Sequence, residues 1–436
     1  MKYIPISITS KLLLAPLFIL FISCNSKNSK GTAQIENDSI KAKKVVFIIV
    51  DGIPADQLER IETPNLDSIS GIGAYARAIT GGMVGGYSET PTISAVGYNS
   101  LLTGTWANKH NVWGNGIKNP NYNYWHIFRL LKEAKPHIKT GVFSTWLDNR
   151  TKLLGDTTDA AGKIAIDYVY DGYELDTIRF PQNNGRVFIQ NIDDYVAEMA
   201  SKTILEKGPD LSWVYLEYTD DMGHAYGDSP QFETAVEHAD GQIGQIWRAI
   251  NTRMNQHAED WMIVITTDHG RKAMDGKGHG GQSERERTIW ITTNKKTNSI
   301  FKSGKARMVD IMPSILEFME VELPDQIKQE LDGLSFLSAP DFYDLNTNII
   351  NGKTRLIWKP LSKSTTGKIL FSKSDYFKDG KSDVYKLLDT VELQKGEYVI
   401  PDTLLVEDYV KIVLKSEGQT SNIWVYKDST WMKTNH

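Results

Sequence analysis

The chain has 436 residues, enough for one large domain with a small companion or for two to three modest ones. Hydrophobic residues make up 40% and charged residues 24%, which sets aside disordered, collagen-like and coiled-coil classes. With 49 Lys+Arg against 54 Asp+Glu there is no basic excess to neutralise a nucleic-acid duplex, and one Cys permits neither an intrachain disulfide nor a Cys-rich zinc site.

In chain order, residues 1–24 (MKYIPISITSKLLLAPLFILFISC) carry Lys2 and Lys11 beside an apolar run over 12–22. That run is shorter than the roughly 20 residues of a spanning helix, and its position fits a secretory signal. It ends in Ser23-Cys24 and resembles a bacterial lipoprotein signal, with Phe21 where that motif has Leu. A lipidated Cys24 implies an exported protein, periplasmic or attached to the outer membrane or cell surface through its lipid alone. The alternative is a plain signal peptide with an incidental Cys. Residues 25–43 are polar and predict a flexible tether.

Three apolar, β-rich runs follow: VVFIIV (45–50), WVYLEY (213–218) and WMIVITT (261–267). Continuous runs of this length suit parallel strands buried on both faces. Helical patterns lie between and around them at 122–134, 192–206 and 232–255, with a late one at 308–319. The alternation predicts an α/β domain over 44–340, with a largely parallel sheet between helices. From about 345 the runs RLIWKPL, GKILFSKS, VYKLLDTVEL, VKIVLKS and NIWVYKD are short and separated by turn residues. They predict a small all-β, sandwich-like module over 341–436. Its Trp358, Trp424 and Trp431 are expected in its core, with sugar stacking as the alternative.

Each of the three apolar runs leads into carboxylate: Asp51-Gly52, Asp220-Asp221 and Asp268-His269-Gly270. Open α/β sheets bind ligands beyond the carboxyl ends of their strands. Three acidic ends on one sheet repel one another unless a cation sits between them. One such Asp suits a helix cap; three, two of them with His close behind, suit a metal site. His224 lies four residues after Asp220, and His279 lies in the glycine-rich GKGHGGQSERE. Mixed Asp/His sets without Cys suit catalytic zinc. His110, His126, His137, His238, His257 and His436 are expected to be solvated. In SETPTISAVGYNSLLTG (88–104) a helix is predicted from Ser94, where a hydroxyl meets free backbone N–H groups. Spacing alone leaves open whether Ser94 or Thr92 is a nucleophile or an N-cap.

Taken together, Asp51, Ser94, Asn115, Asp220, His224, Asp268, His269 and His279 resemble the ordered site residues of the alkaline phosphatase superfamily. Within it the likeness is to type I phosphodiesterases / nucleotide pyrophosphatases. P-T-I-S-A-V-G-Y-N-S-L-L-T-G aligns without a gap on that family's P-T-x-T-F-P-N-H-Y-x-x-x-T-G, and H-N-V-W-G-N on its H-G-I-x-x-N. D-D-M-G-H and T-D-H-G-R match its D-x-x-G-H and D-H-G segments, and V-D-I-M-P-S-I-L and L-D-G-L-S-F its closing segments, so that the likeness covers roughly 44–337. It implies two metal ions, usually zinc. One would be held by Asp51, Asp268, His269 and the Ser94 oxygen, the other by Asp220, His224 and His279. Ser94 would be the nucleophile that forms a phosphoseryl species, with Asn115 and the Ala95 N–H binding a non-bridging phosphate oxygen.

Four of the positions that depart from the family bear on function. Ser94 stands for Thr, Ala95 for an aromatic that stacks on a nucleotide base, and Gly97-Tyr98 for Asn-His. The sulfatase pattern C/S-x-P-x-R is absent, since A-V-G-Y follows Ser94. The implied activity is phosphodiester hydrolysis of a small phosphoric ester. Phosphomonoester hydrolysis is the alternative, as is, in another class, a surface binding protein built on a degenerate hydrolase domain. A monoester would use an extra cation, for which Arg150, Lys152 and Arg186 are candidates. A diester would use an aromatic wall, for which Trp113, Trp146, Tyr170 and Tyr173 are candidates.

Overall fold

A computed structural model of the chain describes residues 41–182, 186–362, 366–405 and 409–426. Cys24, the signal segment, the tether up to residue 40, Trp431 and His436 lie outside the described residues. From Lys41 onward the chain forms one compact unit. Among the described residues no helix is long and apolar enough to cross a membrane.

The central sheet has eight strands: β1 (Ala42–Val50), β2 (Ala74–Ile79), β3 (Thr140–Ser144), β4 (Tyr168–Tyr170), β5 (Leu211–Leu216), β6 (Glu259–Thr266), β7 (Thr288–Thr293) and β8 (Ala306–Arg307). Their order is β4-β3-β5-β1-β6-β7-β2-β8. The pairs β4–β3, β3–β5, β5–β1 and β1–β6 are parallel, and β7 runs antiparallel to both its neighbours. The three apolar runs are therefore the neighbouring strands β5, β1 and β6, which brings their carboxylates to one edge of the sheet.

The strands are apolar throughout because helices cover both faces. Val45, Phe47 and Ile49 point to one side and pack with the helices Ser94–Thr103, Ile127–Ala134 and Ile311–Phe318. Val46, Ile48 and Val50 point to the other and pack with the helices Val187–Lys207 and Pro230–Gln256. This is the two-residue period of a strand buried on both faces. The 213–218 run is a correction in detail: β5 ends at Leu216, and Tyr218 already opens the helix Tyr218–Tyr226, whose first turn carries Asp220 and Asp221.

Seven further strands follow. β9 (Phe342–Ile350), β10 (Lys353–Pro360) and β13 (Glu397–Val399) form one antiparallel sheet. β11 (Thr366–Ser372), β12 (Lys386–Glu392), β14 (Tyr409–Lys415) and β15 (Thr420–Tyr426) form another. The two share one apolar cluster that contains Leu356, Trp358, Ile369, Ile412 and Trp424, so both described tryptophans are core residues. β9 and β13 lie in runs too polar to have been read as strands. The β sheets are tied to the α/β part: Tyr87 stacks on Trp424 at 5.9 Å, and buried Lys109 reaches Asp332 (2.6 Å) and Asn422 (2.9 Å).

His110 and His126 are not solvated, contrary to the sequence expectation; both are buried. His110 Nδ1 accepts the Val112 N–H at 3.1 Å, so its Nε2–H is directed to Ser100 Oγ at 3.0 Å, bracing the Ser94–Thr103 helix against the loop that leads to Asn115. His126 caps the Ile127–Ala134 helix by accepting the Arg129 N–H. Burial pushes both imidazoles down to about 3. A histidine whose folded pKa lies below its unfolded value destabilises the fold as pH falls, because the unfolded chain binds the proton and the folded one does not. The window runs from the ordinary value near 6.5 down to about 3. Denaturant midpoints at pH 7 and pH 5 should show a loss of stability on acidification, of which about 2 kcal/mol disappears in His110→Asn. An unchanged pH dependence in that variant would mean that His110 is not held neutral.

Candidate active site

The site lies where β1, β5 and β6 end. Asp51 follows β1 and Asp268 follows β6 after Thr267; both are buried. Asp51 Oδ2 accepts from the hydroxyls of Tyr98 and of Tyr215 (2.7 Å), whereas Oδ1 is buried with no hydrogen-bond partner. Asp268 repeats the pattern: Oδ1 accepts the Gly52 N–H at 3.1 Å and Oδ2 is buried without a partner. Both orphan oxygens face His269 Nε2, at 3.4 Å from Asp51 and 3.2 Å from Asp268. His269 Nδ1 lies 2.9 Å from the Gly270 carbonyl, which fixes the proton there and leaves Nε2 as a bare lone pair. Ser94 Oγ is 3.5 Å from the same Nε2.

These distances test whether a metal fits. Zinc bonds of about 2.0–2.2 Å in a tetrahedron set neighbouring ligand atoms about 3.3 Å apart. The separations of 3.4, 3.2 and 3.5 Å match that spacing. Burial, with the Asp220 charge added, pushes the Asp51 carboxyl up to about 7, and burial with the Asp51 charge holds Asp268 well above the carboxylate range. Two such carboxyls are costly to ionise until a cation joins them. The donor set fits a divalent metal.

Asp220, His269 and His279 form a second group whose ligand-capable atoms lie within 4.8 Å of one another. His279 Nδ1 donates to the Thr92 carbonyl at 2.9 Å, again turning Nε2 inward. The half-exposed His224 adjoins the same group from the solvent side. Its Nε2 lies 3.1 Å from His279 Nε2 and 3.2 Å from Asp220 Oδ2. Burial works against the charge of Asp220, but the His224 hydrogen bond and the Arg271, His269 and His279 charges hold its carboxyl low.

The helix Ser94–Thr103 aims its N-terminus at this cluster. Ile93, not Ser94, is its N-cap, and no side chain caps it there, so the Ser94 hydroxyl is not spent on capping. The Thr92 hydroxyl is spent: it donates to the Gly281 carbonyl at 2.8 Å and accepts the Gly280 N–H at 3.0 Å. Of the two hydroxyls left open by spacing, Ser94 is the one that faces the carboxylates. A Cβ at position 97 would crowd Asp268 at 3.0 Å, so glycine there lets the helix start lie directly on that residue. Asn115 is exposed, and its Oδ1 accepts the Ala95 N–H at 3.0 Å. The two expected phosphate donors are therefore bonded to each other, and the Asn115 amide N–H₂ is the one left outward.

Sequence reasoning missed Arg271, although it ends the quoted T-D-H-G-R. Its fully buried guanidinium donates to the Gly52 carbonyl (2.9 Å), the Asp220 carbonyl (2.8 Å) and the Asp220 carboxylate. Gly52 has φ +67°, and a side chain there would run into Asp220 and Arg271. Tyr98 and Tyr215 were missed as well; the departure from the family's Asn-His at 97–98 was the available signal.

The profile described as type I phosphodiesterase / nucleotide pyrophosphatase matches residues 45–333. Human ectonucleotide pyrophosphatase/phosphodiesterase family member 7 is 23% identical over 274 residues, covering 60% of this chain and 55% of that protein. The rat protein of the same description is 25% identical over 243 residues, covering 54% and 51%. The chain thus spans about half the length of the curated relatives it matches. The crystal structure of Ps i-CgsB in complex with k-i-k-neocarrahexaose superposes with a TM-score of 0.50 at 14% identity, covering 91% of this chain and 88% of that one, which speaks for the fold. With two-thirds of its length matched by the profile, and with the Asp and His residues of its motifs gathered at one sheet edge, the chain belongs to the type I phosphodiesterase / nucleotide pyrophosphatase family.

Proposed function

We propose that the protein is a two-metal phosphodiesterase that acts on small phosphoric esters through a covalent phosphoseryl intermediate on Ser94. The observation that carries this is the meeting of Asp51 Oδ1, Asp268 Oδ2, His269 Nε2 and Ser94 Oγ, two of them buried oxygens without partners. Zinc ions held by Asp51, Asp268, His269 and Ser94 and by Asp220, His224 and His279 would neutralise the oxygens of an in-line displacement and favour the Ser94 alkoxide. The chain supplies the rest. Ser94 Oγ forms the new P–O bond as the first ester oxygen leaves on the opposite side and takes up a proton as an alcohol. Water then cleaves the phosphoseryl bond, releasing the remaining monoester and returning the proton to Ser94. The Asn115 amide N–H₂ would donate to a non-bridging oxygen throughout.

Diester preference is supported by what has become of the candidate cations. Arg150 is clasped by Asp171 (2.6 Å) and Asp156 (2.8 Å), Lys152 pairs with Asp148 (2.7 Å), and Arg186 pairs with Asp221. None is left over for a second phosphate charge. Of the aromatic candidates, Tyr170 stacks on Phe143 at 5.5 Å, Tyr173 packs on Tyr195 at 5.0 Å and Trp146 meets Tyr98 edge-on at 6.5 Å. Trp113, 38% exposed, two residues from Asn115 and hydrogen-bonded through Nε1 to Asn111 Oδ1 at 3.0 Å, is the aromatic we assign to a substrate group.

A zinc-loaded panel tests the assignment. Bis-p-nitrophenyl phosphate, a nucleotide diester or a phosphocholine ester should be turned over faster than p-nitrophenyl phosphate, and a sulfate ester least; a clear preference for the monoester would replace diesterase by phosphomonoesterase. Ser94→Ala should lower turnover by at least about 1000-fold with two zinc ions still bound. Thr92→Ala should keep the nucleophile but loosen His279. Near wild-type turnover in Ser94→Ala, beside a dead Thr92→Ala of full zinc content, would transfer the nucleophile to Thr92.

We read Cys24 as the lipid attachment of an exported protein. A Cys24→Ala chain should be recovered in the soluble fraction, and recovery with membranes would contradict the lipid anchor.

A further inference from the structure

We propose that Tyr98 and Tyr215 are positioning residues that restrict Asp51 to a single ligand oxygen, so that the first metal is held by one atom from each protein group. The inference rests on the reading of Asp51 as a metal ligand. Its observations are separate from that reading: two phenols, from different elements, converge on the same carboxylate oxygen.

Tyr98 is on the first turn of the Ser94–Thr103 helix and Tyr215 is near the end of β5. Both are buried, and their hydroxyl oxygens are 3.0 Å apart. Both lie on Asp51 Oδ2. A buried phenol needs only one acceptor, and separate acceptors would satisfy each. Instead the pair saturates one oxygen and leaves the other, Oδ1, buried and bare toward His269. The rings cannot easily turn away: Tyr98 packs edge-on against Trp213 at 6.4 Å and Trp146 at 6.5 Å and is tilted against Tyr215 at 5.0 Å.

The consequence is coordination chemistry. A carboxylate with two free oxygens can bind one metal through both and raise its coordination number. One oxygen tied to two donors leaves a single-atom ligand, and four such ligands make a tetrahedral site. Asp268 is tied in the same way by the Gly52 N–H, which makes the restriction a property of both carboxylates. Tyr98 stands at one of the two positions where this chain departs from the family's Asn-His.

The test compares zinc-loaded wild type with Tyr98→Phe, Tyr215→Phe and the double variant. Phe keeps the rings and removes only the hydroxyls. Zinc content is measured by elemental analysis, affinity by competition with a chromophoric chelator, and geometry by visible absorption of the cobalt(II)-substituted protein. The double variant should lose about 10–100-fold in affinity at one of its two sites, keep the other unchanged, and show weaker cobalt absorption as Asp51 becomes two-pronged. Wild-type affinity at both sites with an unchanged cobalt spectrum would overturn the clamp. So would equal weakening at both sites, which marks general loosening. A wild-type protein that binds no zinc would remove the metal-site reading and the clamp with it, which separates the two failures. If the double variant does not fold, the single Tyr215→Phe carries the same comparison.

Discussion

Asp51 and Asp268 lie buried against one histidine, each with one oxygen bound by protein donors and one oxygen left with no partner. Electrostatics alone would scatter such a group. An unpaired buried carboxylate costs several kcal/mol, and a neighbour of the same sign adds to that cost. A cation between the bare oxygens would offset that cost, and much of the surrounding structure keeps these atoms aimed at one point.

That aim is achieved by backbone more than by side-chain bulk. The strands β5, β1 and β6 are adjacent and parallel, so their ends deliver Asp51, Asp268 and the turn before Asp220 to one edge. Gly52 and Gly97 let the Asp220–Arg271 pair and the helix of Ser94 approach closer than any side chain would allow. Thr92 binds the loop of His279 through its hydroxyl and its carbonyl, linking the segment of Ser94 to the second group of ligands. Arg271 performs a similar service for Asp220 from the other side, bonding it to the Gly52 carbonyl. The segments around 51, 94, 220, 268 and 279 are thus bonded to one another by the protein itself.

Much of this was legible in the sequence, for a physical reason. Strands covered on both faces must be apolar throughout, so VVFIIV and WMIVITT announce themselves, and the carboxylate after each is conspicuous against that background. The start of the helix at Ser94 was readable for a similar reason, since Pro91 and Thr92 break the pattern before it. What escaped was whatever depends on long-range contact. Tyr215 in a core strand looks like any buried aromatic until Asp51 is placed beside its hydroxyl. Arg271 looks like a surface charge until its burial is known. His110 sits in the polar stretch NKHN and His126 next to Trp125 and Ile127, and only the packing of the neighbouring helix and loop shows that they are buried. β9 and β13 have too few buried side chains to leave an apolar trace.

The central claim is that the two bare carboxylate oxygens exist to hold a metal with His269. Anomalous X-ray scattering at the zinc edge from crystals of the zinc-loaded protein tests it directly. The account predicts two peaks at the end of β1, one of them about 2.0–2.2 Å from Asp51 Oδ1, Asp268 Oδ2 and His269 Nε2. No peak between those three atoms, or zinc bound instead through Asp51 Oδ2 with the tyrosine hydroxyls displaced, would contradict it.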